Sequence, residues 1–281
     1  MPVAIRGSVR IDRDAPATAI ASPVEVVHLG QSALVLRSVA DDRLLVITGP
    51  SGGLMPGGCC VGAGDFSLLR DALTARLAAQ PGAPGRWCGW GGTAVEARGL
   101  RVAPAAIDAR AVKEIRRLLE AEELRESRSG VVDPVPLRRE GNALAAAALA
   151  GEHGETAAVL ARLVGAGPGT TPTGDDVIAG VLAGLALLGE RRAAAIVAAG
   201  LPRLLGRTTL ASRHYLAAAV DGRFGEHVQE LLSAASGRSA PLRAVARAAR
   251  WGGSSGIDLL AGVMAAIDDG RTGRNTRERS A

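Results

Sequence analysis

Aromatic side chains are almost missing: six rings, three Trp, two Phe and one Tyr, are spread over 281 residues. So few rings leave little on which to stack the bases of a single strand. The core must instead be Ala, Leu and Val, which suits closely packed helices. Lysine occurs once, at Lys113, so nearly all of the positive side of the +5 net charge is arginine. Those arginines are scattered rather than massed, which argues against nucleic acid as a partner. Guanidinium groups still fit small carboxylates and phosphates. Cys59, Cys60 and Cys88 are an odd count with no CxxC spacing, against a disulfide framework or a zinc site. The apolar run "VIAGVLAGLALLG" is too short to cross a bilayer. The opening "MPVAIRGSVRIDRDAP" lacks the apolar stretch of a secretory signal. A soluble, cytoplasmic protein with no membrane partner is expected. HExxH is absent, against zincin chemistry. The glycine-rich stretch around Gly52 lacks the Lys-Ser/Thr of a P-loop and is read as structural turns, with a phosphate cradle the alternative.

What is present divides the chain. "VEVVHLG", "SALVLRSV" and "RLLVITG" are short β-branched runs separated by turn residues, and read as strands. "FSLLRDALTARLAAQ" has helical spacing, and "PGAPGRWCGWGGTA" reads as loop or strand edge. "AAIDARAVKEIRRLLEAEEL" is an amphipathic helix, "SRSGVVDPVPLRREGN" a linker, and the rest successive helices. The expected class is α+β. A β-rich part spans 1–104, a helical part 105–270, and a frayed basic tail 271–281.

The densest chemistry lies in "GPGTTPTGDD", Gly167 to Asp176. Thr173 followed by Asp176 has the spacing of a capping box. Val177, Ile178, Val181, Leu182 and Leu185 then form one face of a helix. The stretch "SSGIDLLAGVMAAI" repeats this arrangement 82 residues later. Ser255, Gly256 and Asp258 echo Thr173, Gly174 and Asp176; Gly262 echoes Gly180. Two related loop–helix units packed on one core are expected. A third helix start, "GRTTLASRHYLAAAV", offers Thr208 or Thr209 as cap, then Arg213 and His214.

Helix N-termini carry unsatisfied N–H donors and about half a positive charge, so three such starts with glycines and hydroxyls predict an anion site. Asp176 and Asp258 are explained as caps. Asp175 is not needed for a cap, and its place in the echo is taken by Ile257. It is therefore a candidate Mg²⁺ ligand beside Asp176, a candidate general base, or a solvated first-turn carboxylate. His214 is a candidate acid/base or anion contact, or a packed surface residue. His28, His153 and His227 are assigned nothing.

"GPGTTPTGDDVIAGVL" resembles the signature of the AllH-type family, G-x-G-P-G-L-T-P-S-G-D-D followed by an apolar helix, with Thr170 and Thr173 replacing its leucine and serine. "GRTTLASRHYLAAA" and "GGSSGIDLLAGV" are similar to later landmarks of that family. The resemblance spans Gly165 to Ile267. It implies a subunit of a heteromeric oxamate carbamoyltransferase in allantoin, hence purine, nitrogen catabolism. The implied reaction joins carbamoyl phosphate and oxamate to give oxalurate and phosphate. The N–H groups of Gly167, Gly169 and Gly174 would hold phosphate. Thr171, Thr173, Ser254 and Ser255 would add hydroxyl donors, with Gly256 and Asp258 in the second unit. Thr208 and Thr209 would complete the set, and Arg213 would pair a carboxylate. Asp175, alone or with Mg²⁺, would orient or deprotonate the attacking amide, and Asp176 and His214 are the other catalytic candidates. The Ser-x-Arg-Thr-Arg phosphate motif of ordinary carbamoyltransferases is absent, so partner subunits are expected. A non-catalytic metabolite-binding subunit and a Mg²⁺-dependent helical hydrolase remain as alternatives.

Overall fold

The computed structural model describes residues 3–15, 23–79, 88–90, 95–127 and 134–279. The chain divides into two compact units, Met1–Leu100 and Arg101–Ala281. The class is α+β: strands first, helices after.

In the first unit the strands are β1 (Val3–Ile5), β2 (Val9–Asp12), β3 (Val24–Leu29), β4 (Ala33–Ser38), β5 (Leu44–Thr48), β6 (Gly58–Cys60), β7 (Cys88–Trp90) and β8 (Val95–Arg98). The three β-branched runs form the antiparallel meander β3–β4–β5. It continues into a six-stranded mixed sheet of order β3-β4-β5-β6-β2-β8, while β1 and β7 pair in parallel separately. Helix α1 (Ala63–Ala79) turns Phe66, Leu69 and Leu73 onto Leu34, Leu36, Leu45 and Ile47. The glycine-rich stretch is a buried turn. Gly57 sits at φ 67°, and its N–H donates to Asp12 Oδ2 at 2.7 Å. The Thr48 hydroxyl donates to the Gly53 carbonyl at 2.5 Å. Of "PGAPGRWCGWGGTA", expected as loop or strand edge, Cys88–Trp90 is strand; residues 81–87 and 91–94 of that region lie outside the described residues.

The second unit is helical. Its elements are α2 (Ala109–Ser127), α3 (Val135–Ala150), α4 (His153–Leu163), α5 (Thr173–Leu188), α6 (Arg191–Gly200), α7 (Leu210–Val220), α8 (Glu226–Ala235), α9 (Pro241–Ala248) and α10 (Ser255–Arg279). Two expectations change. The stretch read as a linker is helical from Val135, because Pro in the first turn forfeits no needed N–H and the alanines that follow favour helix. Residues 128–133 of it lie outside the described residues. The basic tail also continues α10 as far as Arg279, whereas 280–281 lie outside the described residues.

The core is organised on α5, buried along nearly its whole length, and the first half of α10. The two cross at Gly180 and Gly262. A Cβ on Gly180 would run into the Leu259 carbonyl, and one on Gly262 into the Val177 carbonyl. Glycine is required here by close approach, not by turn geometry. α3 closes on the same crossing, with Gly141 against Val177. Among the described residues, no helix is long and apolar enough to cross a membrane.

Candidate functional site

The loops that lead into α5 and α10 lie side by side. The Thr171 and Ser255 hydroxyls are 2.7 Å apart although 84 residues separate them. Together the loops line a cavity of about 550 Å³, with Gly167–Thr171 and Thr173 on one side and Gly252–Ser255 on the other. Glu126 from the end of α2, Pro134, and Leu137 on α3 complete the lining.

Local backbone explains why both loops keep donors in hand. Gly167 and Gly169 adopt φ 109° and 94°, which other residues rarely adopt. α5 starts from Pro172 with no side-chain cap, so the expected capping box does not form. Its first-turn donors are met by backbone instead: Gly174 N–H reaches Ala166 O at 2.9 Å, and Asp175 and Asp176 N–H reach Pro172 O. The second loop repeats this, with Gly256 N–H on Trp251 O and Ile257 and Asp258 N–H on Ser254 O. Gly174 and Gly256 are packing positions: a Cβ on either would collide with the carbonyl of Leu163 or Ala248 at the end of the preceding helix. By contrast, among the described residues the N–H groups of Gly167, Gly169, Thr171, Gly252, Gly253 and Ser255 meet no acceptor. The four glycines are exposed, Thr171 is half-buried and Ser255 is buried; such a row of unspent donors can take an oxyanion.

Asp175 does not line the cavity. It is buried and fastens the first loop: Oδ1 accepts from Gly165 N–H at 3.0 Å, and Oδ2 from the Thr208 hydroxyl. The third helix start braces that loop from behind. The Thr209 hydroxyl donates to Thr170 O at 2.6 Å and accepts from Ser212 N–H, capping α7. Arg213 spends Nε and Nη2 on Thr208 O at 3.2 and 3.1 Å. His214 is half-buried and packs edge-on against Tyr215, with ring centroids 5.5 Å apart. None of Thr208, Thr209, Arg213 and His214 lines the cavity.

Asp176 is half-buried beside the Thr171–Ser255 pair, and its Oδ2 is sealed from solvent without a hydrogen-bond partner. Burial pushes its carboxyl well above the usual carboxylate range; Asp258 and Asp175 push the same way, against the neighbouring hydroxyls of Ser255 and Thr171. Tyr215 lies within the field of Asp176, and burial together with that carboxyl raises its hydroxyl pKa too. A carboxyl held toward its neutral form beside the Thr171–Ser255 pair keeps a proton close to the cavity.

Asp258 is not a cap. It is fully buried, with Oδ1 2.7 Å from Arg138 Nε and Oδ2 accepting from the Ser254 hydroxyl at 2.8 Å. Arg138 is itself buried, and its Nη2 is 2.7 Å from Glu126. Sequence reasoning missed this group. The signal was the spacing of Arg138, Gly141, Leu144, Ala145 and Ala148, which puts a charge on the buried stripe of α3. Tyr215 was missed likewise, although it shares the buried face of α7 with Ser212 and Leu216.

A Mg²⁺ site does not fit these carboxylates. Both Asp175 oxygens face N–H and O–H donors. Among the described residues no three His, Cys, Asp or Glu side chains are grouped to hold a metal ion.

Comparison with known families falls on this site. Residues 163–267 match the family model described as oxamate carbamoyltransferase subunit AllH. The match runs from the last residue of α4 through both loops and the glycine crossing into α10. It leaves out the first unit, Glu126 and Arg138. No curated protein and no solved structure matches the chain. The resemblance read in the three motifs therefore rests on the AllH segment, and the name of that family describes one subunit of an assembly.

Proposed function

We propose that this chain is the anion-holding subunit of a carbamoyltransferase-type enzyme that acts on carbamoyl phosphate, oxamate and oxalurate in allantoin nitrogen catabolism. One observation carries the reading: two loops 82 residues apart share a cavity about 550 Å³ in volume and offer it hydroxyls and unspent N–H groups. The AllH match over the same loops supports the choice of substrates.

In the forward reaction the oxamate amide nitrogen attacks the carbamoyl carbon. A C–N bond forms, the C–O bond to phosphate breaks, phosphate leaves, and the nitrogen loses one proton. The N–H groups of both loops hold the oxyanion and meet charge as it develops on the carbamoyl oxygen. Thr171 and Ser255 orient the ligand, and Asp176 beside them holds or accepts a proton. Asp175, Thr208 and Thr209 keep the first loop in place. The remaining groups come from partner subunits in a hetero-oligomer.

The test is twofold. Phosphate and oxamate titrated into the purified full chain raise its melting temperature, by mass action on the folded state. Co-expressed with its neighbouring subunits, the protein forms oxalurate from carbamoyl phosphate and oxamate. Stabilisation without turnover in the assembly leaves a binding subunit and removes the catalytic part. No stabilisation by millimolar anion removes the reading altogether.

A further inference from the structure

The cavity presents a contradiction for an anion site. Among its described lining residues no side chain is basic, and the one charged side chain, Glu126, is acidic. The missing cation lies one layer back. Arg138 is 3% exposed, and Asp258 fixes it at Nε. Its Nη1 and Nη2 are buried without a hydrogen bond. Glu126 Oε2 approaches Nη2 to 2.7 Å but off the line of its N–H bonds. Glu123 stands 3.8 Å from Nη1 and does not line the cavity.

Glu126 is also poorly placed by its own helix. It occupies the last turn of α2, where exposed carbonyls disfavour a carboxylate. A guanidinium edge takes a ligand carboxylate through two parallel N–H···O bonds, a geometry that Glu126 does not reach. Resting on the anion-cavity reading above, we propose that Arg138 is the cation that recognises a small carboxylate or phosphate in this cavity. Glu126 is its resident counter-ion, displaced when the ligand binds. Glu126 touches both the cavity and Nη2, so its departure joins the two. The ligand then gains a buried charge partner that is anchored on the far side by Asp258. A second carboxylate is left with Arg138 throughout, so the buried charge is never bare. This also places carboxylate recognition on α3, not on Arg213 of α7, whose guanidinium is turned to Thr208 O.

The experiment measures oxamate and phosphate affinity by calorimetry on the full chain and on two variants, Glu126→Gln and Glu123→Gln. Each removes one negative charge near Arg138, but only the first removes a competitor from the cavity. Glu126→Gln is expected to bind oxamate about tenfold more tightly, equivalent to about 1.4 kcal/mol. Glu123→Gln is expected to stay within about twofold of the parent, because Glu123 does not line the cavity and need not move when the ligand binds. Binding seen only in Glu126→Gln supports the proposal as well. Equal gains in both variants reduce the effect to general charge and overturn it. Unchanged or weaker binding in Glu126→Gln overturns it too, and leaves the anion cavity standing if the parent binds. Silence in all three proteins removes the cavity reading itself.

Discussion

Gly180 and Gly262 meet where α5 and α10 cross, and each faces the carbonyl three residues before the other: Leu259 O for Gly180 and Val177 O for Gly262. The contact is reciprocal under the same 82-residue offset that relates the two loops. Gly184 and Ala266 continue it one turn further on. A local two-fold relation therefore runs through the core. It brings both helix starts to one end, where Thr171 and Ser255 touch. The cavity is a consequence of how the helices pack.

A methyl group at the crossing tests this. Gly180→Ala places a Cβ against backbone that has no room to yield, so it destabilises the protein by about 1–3 kcal/mol or more, as overpacking does. Gly154→Ala is the control. It lies in the first turn of α4 with nothing within 4 Å of a Cβ, and is neutral or stabilising by up to about 1 kcal/mol. Urea midpoints at a constant slope read both. Equal midpoints for the two variants would show that the helices do not meet at Gly180.

Arg138 and Asp258 provide a second test. Asp258→Asn removes the carboxylate from Arg138 Nε and leaves a guanidinium 3% exposed with poorer compensation. Breaking one side of a buried pair costs about 3–5 kcal/mol. Replacing both at once, Arg138→Met with Asp258→Leu, recovers part of that loss, because the two fully buried charges leave together and only the half-buried Glu123 and Glu126 lose their cation. Denaturant unfolding of the single and double variants distinguishes a buried ion pair from an ordinary packing contact. A double variant no more stable than Asp258→Asn contradicts the pair.

Much of this architecture was legible in the residues. The three strands, the amphipathic α2 and the paired loop–helix units follow from period and turn chemistry, which act over a few residues. What was not legible depends on partners far away in sequence. Thr173 has the residue type and spacing of a cap, yet Ala166 O and Pro172 O satisfy the first-turn donors before its side chain can. Asp175 has the look of a reacting carboxylate, but Gly165 and Thr208 claim both its oxygens. Asp258 looked like a cap because its partner, Arg138, is 120 residues away. Arg138 was hidden inside a proline-containing stretch that reads as linker until its helical stripe is traced.

Asp176 makes the fold sensitive to alkali. Its folded-state pKa is raised by burial and by Asp258 and Asp175, so the folded protein holds this proton more tightly than the unfolded chain does. The folded state then binds more protons across that window, and stability falls as pH rises from the ordinary aspartate range toward the raised value. Asp176→Asn removes the ionisation while keeping the shape. The variant melts higher than the parent at neutral pH, and the gain shrinks as pH drops toward 4. A gain that does not change with pH assigns it to packing rather than to the buried carboxyl.

His227 works in the opposite direction. It is 2% exposed and stacks on Trp251, the residue that opens the second loop, with ring centroids 4.6 Å apart and planes 18° from parallel. Neither ring nitrogen has a hydrogen-bond partner. Burial first, and then Arg247, lower its pKa to about 3. The unfolded chain titrates this ring near the ordinary value of about 6.5. Between the two values the unfolded state binds the extra proton, so stability is full above the upper value and is lost progressively as pH falls below it. His227→Phe keeps an aromatic face for Trp251 and has nothing to titrate. Its melting temperature is therefore expected to decline less than the parent's between pH 6.5 and 4. Oxamate binding at low pH should persist further in the variant as well, because Trp251 holds the start of the loop that supplies Gly252, Gly253 and Ser255 to the cavity. Parallel melting profiles for the two proteins would mean that His227 takes up its proton without leaving the core, and that the acid sensitivity arises elsewhere.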